Sequence, residues 1–329
     1  MRLILFWLLL LLPVTAEPLE VRVLVSHPVP REGPAHEELP ADPKWRGRLE
    51  VFRENGKVQV VNILPLEDYL CGVVPRELSC NELEATKAQA IVARTYALSH
   101  LRPGKRWDFS ATDRSQVYGG QSAEQELATR AVRETEGVVV TYQGQLAEHV
   151  LYHSTCGGAT ADKEQVFAGL PVDYLKSVPC TYCQASPLYR WRLEAAADAL
   201  GQELERSLGK PVQPLTGLVV AERDSSGRVR RLRLNEAGLE LRGDDMRRLL
   251  FGTNAEGQRK KLYSTRFEVE EQPGGFAFVG QGWGHGVGMC QWGALGLSRS
   301  GKDYGEILNF YFAGTATAHY QELRVARGG

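Results

Sequence analysis

The sequence predicts an α+β fold, in which mixed helices and antiparallel sheets surround a substrate groove. Three patterns support this prediction. Two segments of alternating apolar residues flank Asn55-Gly56, which is a strong signal for a β-hairpin. Apolar side chains then recur at helical spacing from Ala88 to Leu98. Between residues 190 and 269, two helical patterns enclose a hairpin pattern, which indicates an inserted helix-hairpin-helix subdomain.

Composition and the first residues indicate an exported globular protein. The chain has 329 residues, is 43% hydrophobic and carries a formal net charge of −1, so its charge gives no reason to expect a nucleic-acid partner. Arg2, the apolar run Leu3–Leu12 and the small residue Ala16 predict a signal peptide over residues 1–16. We therefore expect a periplasmic, extracellular or cell-wall location and no membrane span after cleavage. An uncleaved anchor is the weaker alternative, because the run is short for a bilayer.

The rest of the chain divides into four predicted regions. An N-terminal strand and linker occupy residues 17–48, and a core follows over residues 49–189. The inserted subdomain covers residues 190–269, with an amphipathic helix predicted over 193–208. A segment rich in glycine and tryptophan and a C-terminal helix complete the core over residues 270–329. A further strand is predicted over 148–152.

Glu77 has two possible roles on local grounds. It follows a short predicted helix that starts at Leu66, and Ser79 and Glu82 form a capping-box pattern that predicts a second helix just beyond it. A carboxylate ahead of a helix N-terminus commonly complements the helix dipole. The alternative is a catalytic acid that a rigid element holds in place. The local pattern alone favours the first role.

The six cysteines also leave two interpretations open. An even number in an exported chain favours disulfides, among them Cys71–Cys80 and Cys180–Cys183. However, His153-x-x-Cys156 and Cys180-x-x-Cys183 have the spacing of a tetrahedral zinc site. We expect zinc at these four ligands and a small buried apolar role for Cys290.

The run from Phe276 to Ala294 has glycine at nearly every second position of its centre. Such a backbone permits the close approach of a ligand or of another strand. Trp283, His285, Gln291 and Trp292 remain to make contacts, and indole faces beside an amide suit sugar rings. A core corner is the structural alternative. A dinucleotide fingerprint is excluded, because the βαβ context and the later acidic residue are missing.

Five motifs in order resemble the stage II sporulation protein D (SpoIID) family. They are Leu66-Glu67-Asp68-Tyr69-Leu70 with Gly72-Val73-Val74 and Glu77, Ala85 to Ala97, Ser115-Gln116-Val117-Tyr118, His153-Ser154 with Gly157-Gly158 and Thr160, and Gly282 to Ala294. The resemblance runs from about Leu49 to Gly314. It implies either a lytic transglycosylase, which cuts peptidoglycan glycan strands after their stem peptides are removed, or an enhancer that acts on a cell-wall amidase.

The resemblance also implies roles for particular residues. Glu77 falls on the catalytic glutamate of the family. Arg94, Tyr174 and Lys176 are expected to hold N-acetyl or lactyl groups, while Gln116, Tyr118, His285 and Gln291 are expected to line the groove with Trp283. A structural network is the alternative for each polar residue. Some family members bind zinc, so the predicted ion at His153, Cys156, Cys180 and Cys183 is expected to be structural, with four protein ligands.

Overall fold

The computed structural model describes residues 18–112, 115–235 and 238–325, so the predicted signal peptide lies outside the described residues. The strands, in chain order, are β1 (Glu20–Val25), β2 (His36–Glu38), β3 (Arg48–Glu54), β4 (Lys57–Pro65), β5 (Phe109–Ser110), β6 (Val138–Tyr142), β7 (Gln145–Leu146), β8 (Tyr152–His153), β9 (Arg190–Ala196), β10 (Leu218–Arg223), β11 (Val229–Leu234), β12 (Leu239–Arg242), β13 (Phe251–Thr253), β14 (Arg259–Lys261), β15 (Phe267–Gln272), β16 (Gly275–Gln281), β17 (Met289–Cys290) and β18 (Ala316–His319). The helices are α1 (Leu66–Glu77), α2 (Leu83–Ser99), α3 (Glu126–Glu134), α4 (Lys163–Val166), α5 (Ala197–Leu208), α6 (Asp245–Leu249), α7 (Gln291–Arg299), α8 (Tyr304–Tyr311) and α9 (Tyr320–Val325). The predicted α+β class is confirmed.

The N-terminal sheet supports the helix that carries Glu77. Its order is β2-β3-β4-β1-β5, and all neighbours are antiparallel except β1 and β5. The predicted hairpin is present as β3 and β4, with Asn55 and Gly56 both at positive φ as a tight two-residue turn requires. Helix α1 leaves the end of β4 directly, and its apolar face packs on the sheet through Tyr69, Leu70 and Val73.

Helix α2 joins two hydrophobic cores. Because the alanine side chains of α2 are small, neighbouring elements can pack closely on opposite sides of the helix. Ala90, Ala93 and Ala97 pack into the core of the N-terminal sheet. Ala88 and Ile91 pack into a second core with α7, α8 and the cysteines. A third core lies within the inserted region.

The inserted region is built on a larger sheet than the sequence predicts. Strands β14-β13-β9-β16-β15 form one antiparallel sheet, while β10, β11 and β12 form a second. The helix predicted over 193–208 is wrong in its first part: residues 190–196 are strand β9, where alternate side chains are buried, and α5 begins at Ala197. The predicted boundary at 269/270 falls inside strand β15, whose hairpin partner β16 also pairs with β9.

Two distant chain segments run side by side near the end of α1. Strands β8 and β17 are parallel, and Thr155 bridges to Trp283. The strand predicted over 148–152 is shorter than expected and is confined to Tyr152–His153. Across the described ranges, no helix is both long and apolar enough to cross a membrane.

Candidate active site

Glu77 lies at the C-terminal end of a helix, not ahead of an N-terminus. It is the last residue of α1, and α2 begins only at Leu83. The predicted capping box is not formed: Glu82 itself occupies the N-cap position without a side-chain cap bond, and its carboxylate pairs with Arg299 at 2.8 Å. A helix C-terminus carries partial negative charge, so this position disfavours an ionised carboxylate. The dipole-complementing role is therefore excluded.

The surroundings of the Glu77 carboxyl group favour its protonated form. Burial raises its pKa above the ordinary value, and two hydrogen bonds, from the Val117 N–H and the Tyr152 hydroxyl, act in the opposite direction. The Val117 nitrogen lies 2.9 Å from Oε1. The net effect is a raised pKa, which suits a group that must hold a proton near neutral pH. The sequence left this balance open.

Glu77 separates two cavities, which we call together the Glu77 cleft. The tryptophan cavity has a volume of about 760 Å³, and its walls include Trp283, Trp292 and Gln291. The histidine cavity, of about 430 Å³, is lined by Glu77, Tyr96, Ser115, Val117, Leu151, Tyr152, Phe167 and His285. Glu77 is the one acid among these lining residues of the histidine cavity. In the tryptophan cavity, the other lining acid is Glu82, whose charge is already neutralised by Arg299.

The glycine-rich run forms one wall of this cleft by packing on protein backbone. Gly282 has φ +80°, and a Cβ there would lie 2.5 Å from the carbonyl oxygen of Thr155. Gly288 has φ +72°, and its Cβ would lie 2.1 Å from the carbonyl oxygen of Leu151. These glycines therefore serve close approach of another strand, while Trp283 points outward with 48% of its surface exposed.

Four predicted contact residues reach the cleft. The tryptophan cavity is lined by Trp283, Gln291 and Trp292, and the histidine cavity by His285. Gln291 also donates its amide N–H to the backbone carbonyl of Glu77 at 2.9 Å, so it fixes the end of α1. Burial lowers the pKa of His285 to about 4, which leaves its ring neutral at neutral pH. Its Nδ1 accepts the Val287 N–H, so the ring proton lies on Nε2.

The other five predicted contact residues are placed elsewhere. Arg94 is fully buried and binds both carboxylate oxygens of Glu67, at 2.8 and 2.6 Å. Tyr174 is buried against Tyr142, and Lys176 pairs with Glu164. Neither cavity includes these residues among its walls. The sequence could not distinguish them from groove residues, because a motif shows residue types and not which way a side chain points.

Gln116 and Tyr118 lie behind the cleft, and Gln116 has an indirect connection to Glu77. The Tyr118 hydroxyl donates to Asn62 at 2.9 Å within the first core. Gln116 is buried, accepts from the Tyr69 hydroxyl at 3.3 Å and hydrogen-bonds the side chain of Tyr152. Since Tyr152 bonds Glu77, Gln116 orients a group that contacts the acid. Tyr152, Val117, Tyr96 and Phe167 are cleft residues that the sequence did not single out.

Four buried cysteines come together next to the cleft. The sulfur atoms of Cys156, Cys180, Cys183 and Cys290 all lie within 4.8 Å of one another. All six cysteines fall within the described ranges and are free thiols, so neither Cys71–Cys80 nor Cys180–Cys183 forms a disulfide. Cys71 belongs to the first core and Cys80 packs against the second. Four converging thiols of this kind could bind a metal ion.

The fourth member of this cluster is Cys290, and His153 does not join it. His153 Nδ1 lies 3.1 Å from the carbonyl oxygen of Val287, and the ring packs near His285. Cys290 accepts the N–H groups of Cys156 and Gly293, at 3.2 and 3.3 Å. Cys290 is buried in the second core, as expected, and its sulfur also joins the cluster, which the sequence did not predict. The parallel pairing of β8 and β17 brings Cys290 next to the other cysteines. The spacing of cysteines along the chain therefore could not predict that Cys290 belongs to the cluster.

Arg228 connects the inserted region to this cluster. Its side chain is fully buried and donates to the carbonyl oxygens of Cys156, at 2.7 Å, and Ala159, at 3.0 Å. It reaches across from the start of the β11 segment, next to the Asp224–Gly227 turn. A buried guanidinium beside a group of thiols can offset the negative charge that thiolate ligands would bring.

Comparisons with known proteins show which family this chain resembles. A family model described as SpoIID, stage II sporulation protein, matches residues 54–142. A second model, a domain of unknown function (DUF8618), matches residues 163–288. Stage II sporulation protein D of Bacillus subtilis is 31% identical over 276 residues, which cover 78% of this chain and 75% of that protein. An uncharacterized protein of Brachyspira hyodysenteriae is 32% identical over 284 residues, covering 85% and 74%.

A further relative has a different name. The amidase enhancer of Bacillus subtilis is 28% identical over 297 residues, which cover 76% of this chain but 40% of that protein. Fold and site together define an α+β protein whose aromatic-lined cleft holds one unpaired acid beside a four-cysteine cluster. The chain belongs to the stage II sporulation protein D family. The resemblance predicted from its motifs is confirmed.

Proposed function

We propose that this protein is an exported lytic transglycosylase that cleaves the MurNAc–GlcNAc bonds of denuded peptidoglycan strands and leaves 1,6-anhydroMurNAc ends. The observation that supports this most strongly is the position of Glu77. Its carboxyl group has a raised pKa, and it lies where two cavities meet, so a strand can pass on both sides of it. Trp283 offers an exposed indole face for a sugar ring.

The chemistry requires one carboxyl group rather than two. Hydrolysing glycosidases use an acid together with a base or nucleophile. In the proposed reaction, protonated Glu77 donates its proton to the glycosidic oxygen as the C1–O bond breaks. The resulting carboxylate then accepts the proton of the substrate's C6 hydroxyl, whose oxygen bonds to C1. Glu77 ends protonated, so no water is consumed. The ion pair of Glu82 with Arg299 leaves Glu77 as the acid available in the cleft.

We also propose that the four cysteines hold a structural zinc ion in the exported protein. Four sulfur ligands give a closed tetrahedral site with no place for a substrate. Zinc bound there would tie the chain around Cys156 to the start of α7 at Cys290 and so brace one wall of the cleft. The proposed reaction does not use this ion. Glu77 transfers the protons, while Tyr152 bonds its carboxyl group and Gln291 fixes the end of α1.

The second candidate function is a non-catalytic enhancer of a cell-wall amidase, which would bind the glycan or the amidase without cutting. The similarity to a protein named amidase enhancer favours it. In that case, the aromatic cleft would still bind glycan strands, but Glu77 would not be essential for any product.

A product assay separates the two functions. Purified protein is incubated with denuded glycan strands, and anhydro ends are measured by mass spectrometry. We expect wild type to produce them and Glu77→Gln to lose about 10²- to 10⁴-fold in rate, the usual contribution of a general acid–base group. Glu82→Gln is the matched control, because its carboxylate is also in the cavity but is paired with Arg299. Equal product from wild type and Glu77→Gln contradicts the proposal, and amidase stimulation without cleavage supports the enhancer.

A further inference from the structure

Arg76 is a cation in the Glu77 cleft that the proposed reaction does not use. It precedes Glu77 in the last turn of α1, is exposed, and lines the tryptophan cavity. The aliphatic part of its side chain lies over Gly119, where an added Cβ would approach Cδ at 3.3 Å. Arg76 therefore packs its aliphatic stem on protein while remaining among the walls of the tryptophan cavity.

The two arginines of the tryptophan cavity differ in their partners. One of them, Arg299, is bound to Glu82 at 2.8 Å. Among the residues that the structure describes, Arg76 has no hydrogen-bond or ion-pair partner. Because Arg299 is already paired with Glu82, Arg76 is the cation among the lining residues of the tryptophan cavity that is left to pair with a ligand. A guanidinium binds a carboxylate through two parallel hydrogen bonds better than it binds an uncharged amide.

The proposed substrate carries such a carboxylate only in one state. When the stem peptide is attached, the lactyl carboxyl group of MurNAc is an amide and has no charge. When an amidase removes the peptide, the lactyl group becomes a free carboxylate. We infer that Arg76 recognises the lactyl carboxylate of a MurNAc residue in the cleft and thereby selects denuded strands. This inference rests on the proposed function and names the group by which that site distinguishes its substrate.

Two matched substrates test the inference. One is the denuded strand with free lactyl carboxylates, and the other is the same strand with these groups converted to methylamides, which are uncharged and small. We expect wild type to favour the free acid by about fivefold in kcat/KM, as for a partly exposed ion pair. Arg76→Gln removes this preference by raising KM for the acid strand alone, and Arg76→Lys retains part of it.

The controls keep the result specific to Arg76. Arg248→Gln removes one positive charge from α6 in the inserted region and should leave the preference unchanged. The inference is overturned if Arg76→Gln keeps the preference, or if it lowers activity equally on both strands. Failure of wild type to form anhydro ends rejects the transglycosylase instead. Binding of both strands to Glu77→Gln by calorimetry then still tests Arg76, since a non-cutting protein that uses it also prefers the acid.

Discussion

The Glu77 cleft and the four-cysteine cluster share two chain segments but use them in opposite ways. Tyr152 and Trp283 face the cleft, while Cys156 and Cys290, a few residues further on, face the cluster. The cluster is fully buried, and its sulfur atoms find partners in one another and in backbone N–H groups. The cleft leaves a carboxyl group, indole faces and a guanidinium open. Residues a few positions apart on these segments therefore contribute to a buried cluster and to an open cleft.

The largest expected effect comes from removing one ligand of the four-cysteine cluster. Cys183→Ser removes one of four converging ligands, so we expect the bound zinc to fall from one equivalent to near zero. The free energy of unfolding should drop by about 4 kcal/mol or more, since loss of a structural metal is among the most destabilising changes. Elemental analysis and denaturant titration measure both quantities.

A matched cysteine variant controls for the loss of a thiol. Cys71→Ser alters a buried cysteine of a different core and should keep the metal. Stripping wild type with a chelator should reproduce the instability of Cys183→Ser. Wild-type protein that contains no zinc but has its four clustered cysteines oxidised would contradict the metal assignment.

A smaller effect tests the link between the inserted region and the four-cysteine cluster. Arg228→Gln leaves the carbonyl oxygens of Cys156 and Ala159 without their donor in a buried place. We expect a loss of about 2–3 kcal/mol in unfolding free energy and roughly 10- to 100-fold weaker zinc binding. Arg230→Gln alters an exposed arginine two residues further along the chain, which pairs with Glu222, and should change neither quantity by a measurable amount. Equal effects from both variants would show that Arg228 does not support the cluster.

The contrast between the two regions also explains what the sequence could predict. The α+β class and the Asn55-Gly56 hairpin follow from local patterns, and the family follows from the ordered motifs. Cys290 was missed because its partners are brought to it by the pairing of β8 with β17, a contact between distant parts of the chain. The sequence could not show that Arg94 lies in a buried ion pair, because a polar residue in a motif can serve such a pair as well as a ligand, and only the direction of its side chain distinguishes them. Glu77 was placed at the wrong end of a helix because α1 continues through Pro75.

In the Glu77 cleft, Trp283→Ala tests the proposal that the exposed indole face binds a sugar ring. Trp283 is 48% exposed and contacts Tyr263 edge-on, so its removal leaves little buried space. We expect KM for denuded strands to rise about fivefold, with kcat and unfolding free energy almost unchanged, because an exposed ring contributes about 1 kcal/mol of stacking. Trp283→Phe should recover much of the affinity. A variant that loses kcat or stability instead would show that the ring belongs to the core rather than to the ligand.

The smallest effect concerns the cost of keeping an acid in the cleft. Burial raises the pKa of Glu77, so the folded protein holds this proton more tightly than the unfolded chain does. The stabilisation is fully present below the ordinary carboxyl pKa and is lost as the pH rises through the raised one. Glu77→Gln carries no charge at any pH, so it should be more stable than wild type at pH 8 by roughly 0.5 kcal/mol, a small value because the cleft admits water. At pH 4 the two should unfold alike. Thermal unfolding across this range measures the gap, and a gap that widens toward acid would mean that the hydrogen bonds from Val117 and Tyr152 outweigh burial and that Glu77 is ionised at neutral pH.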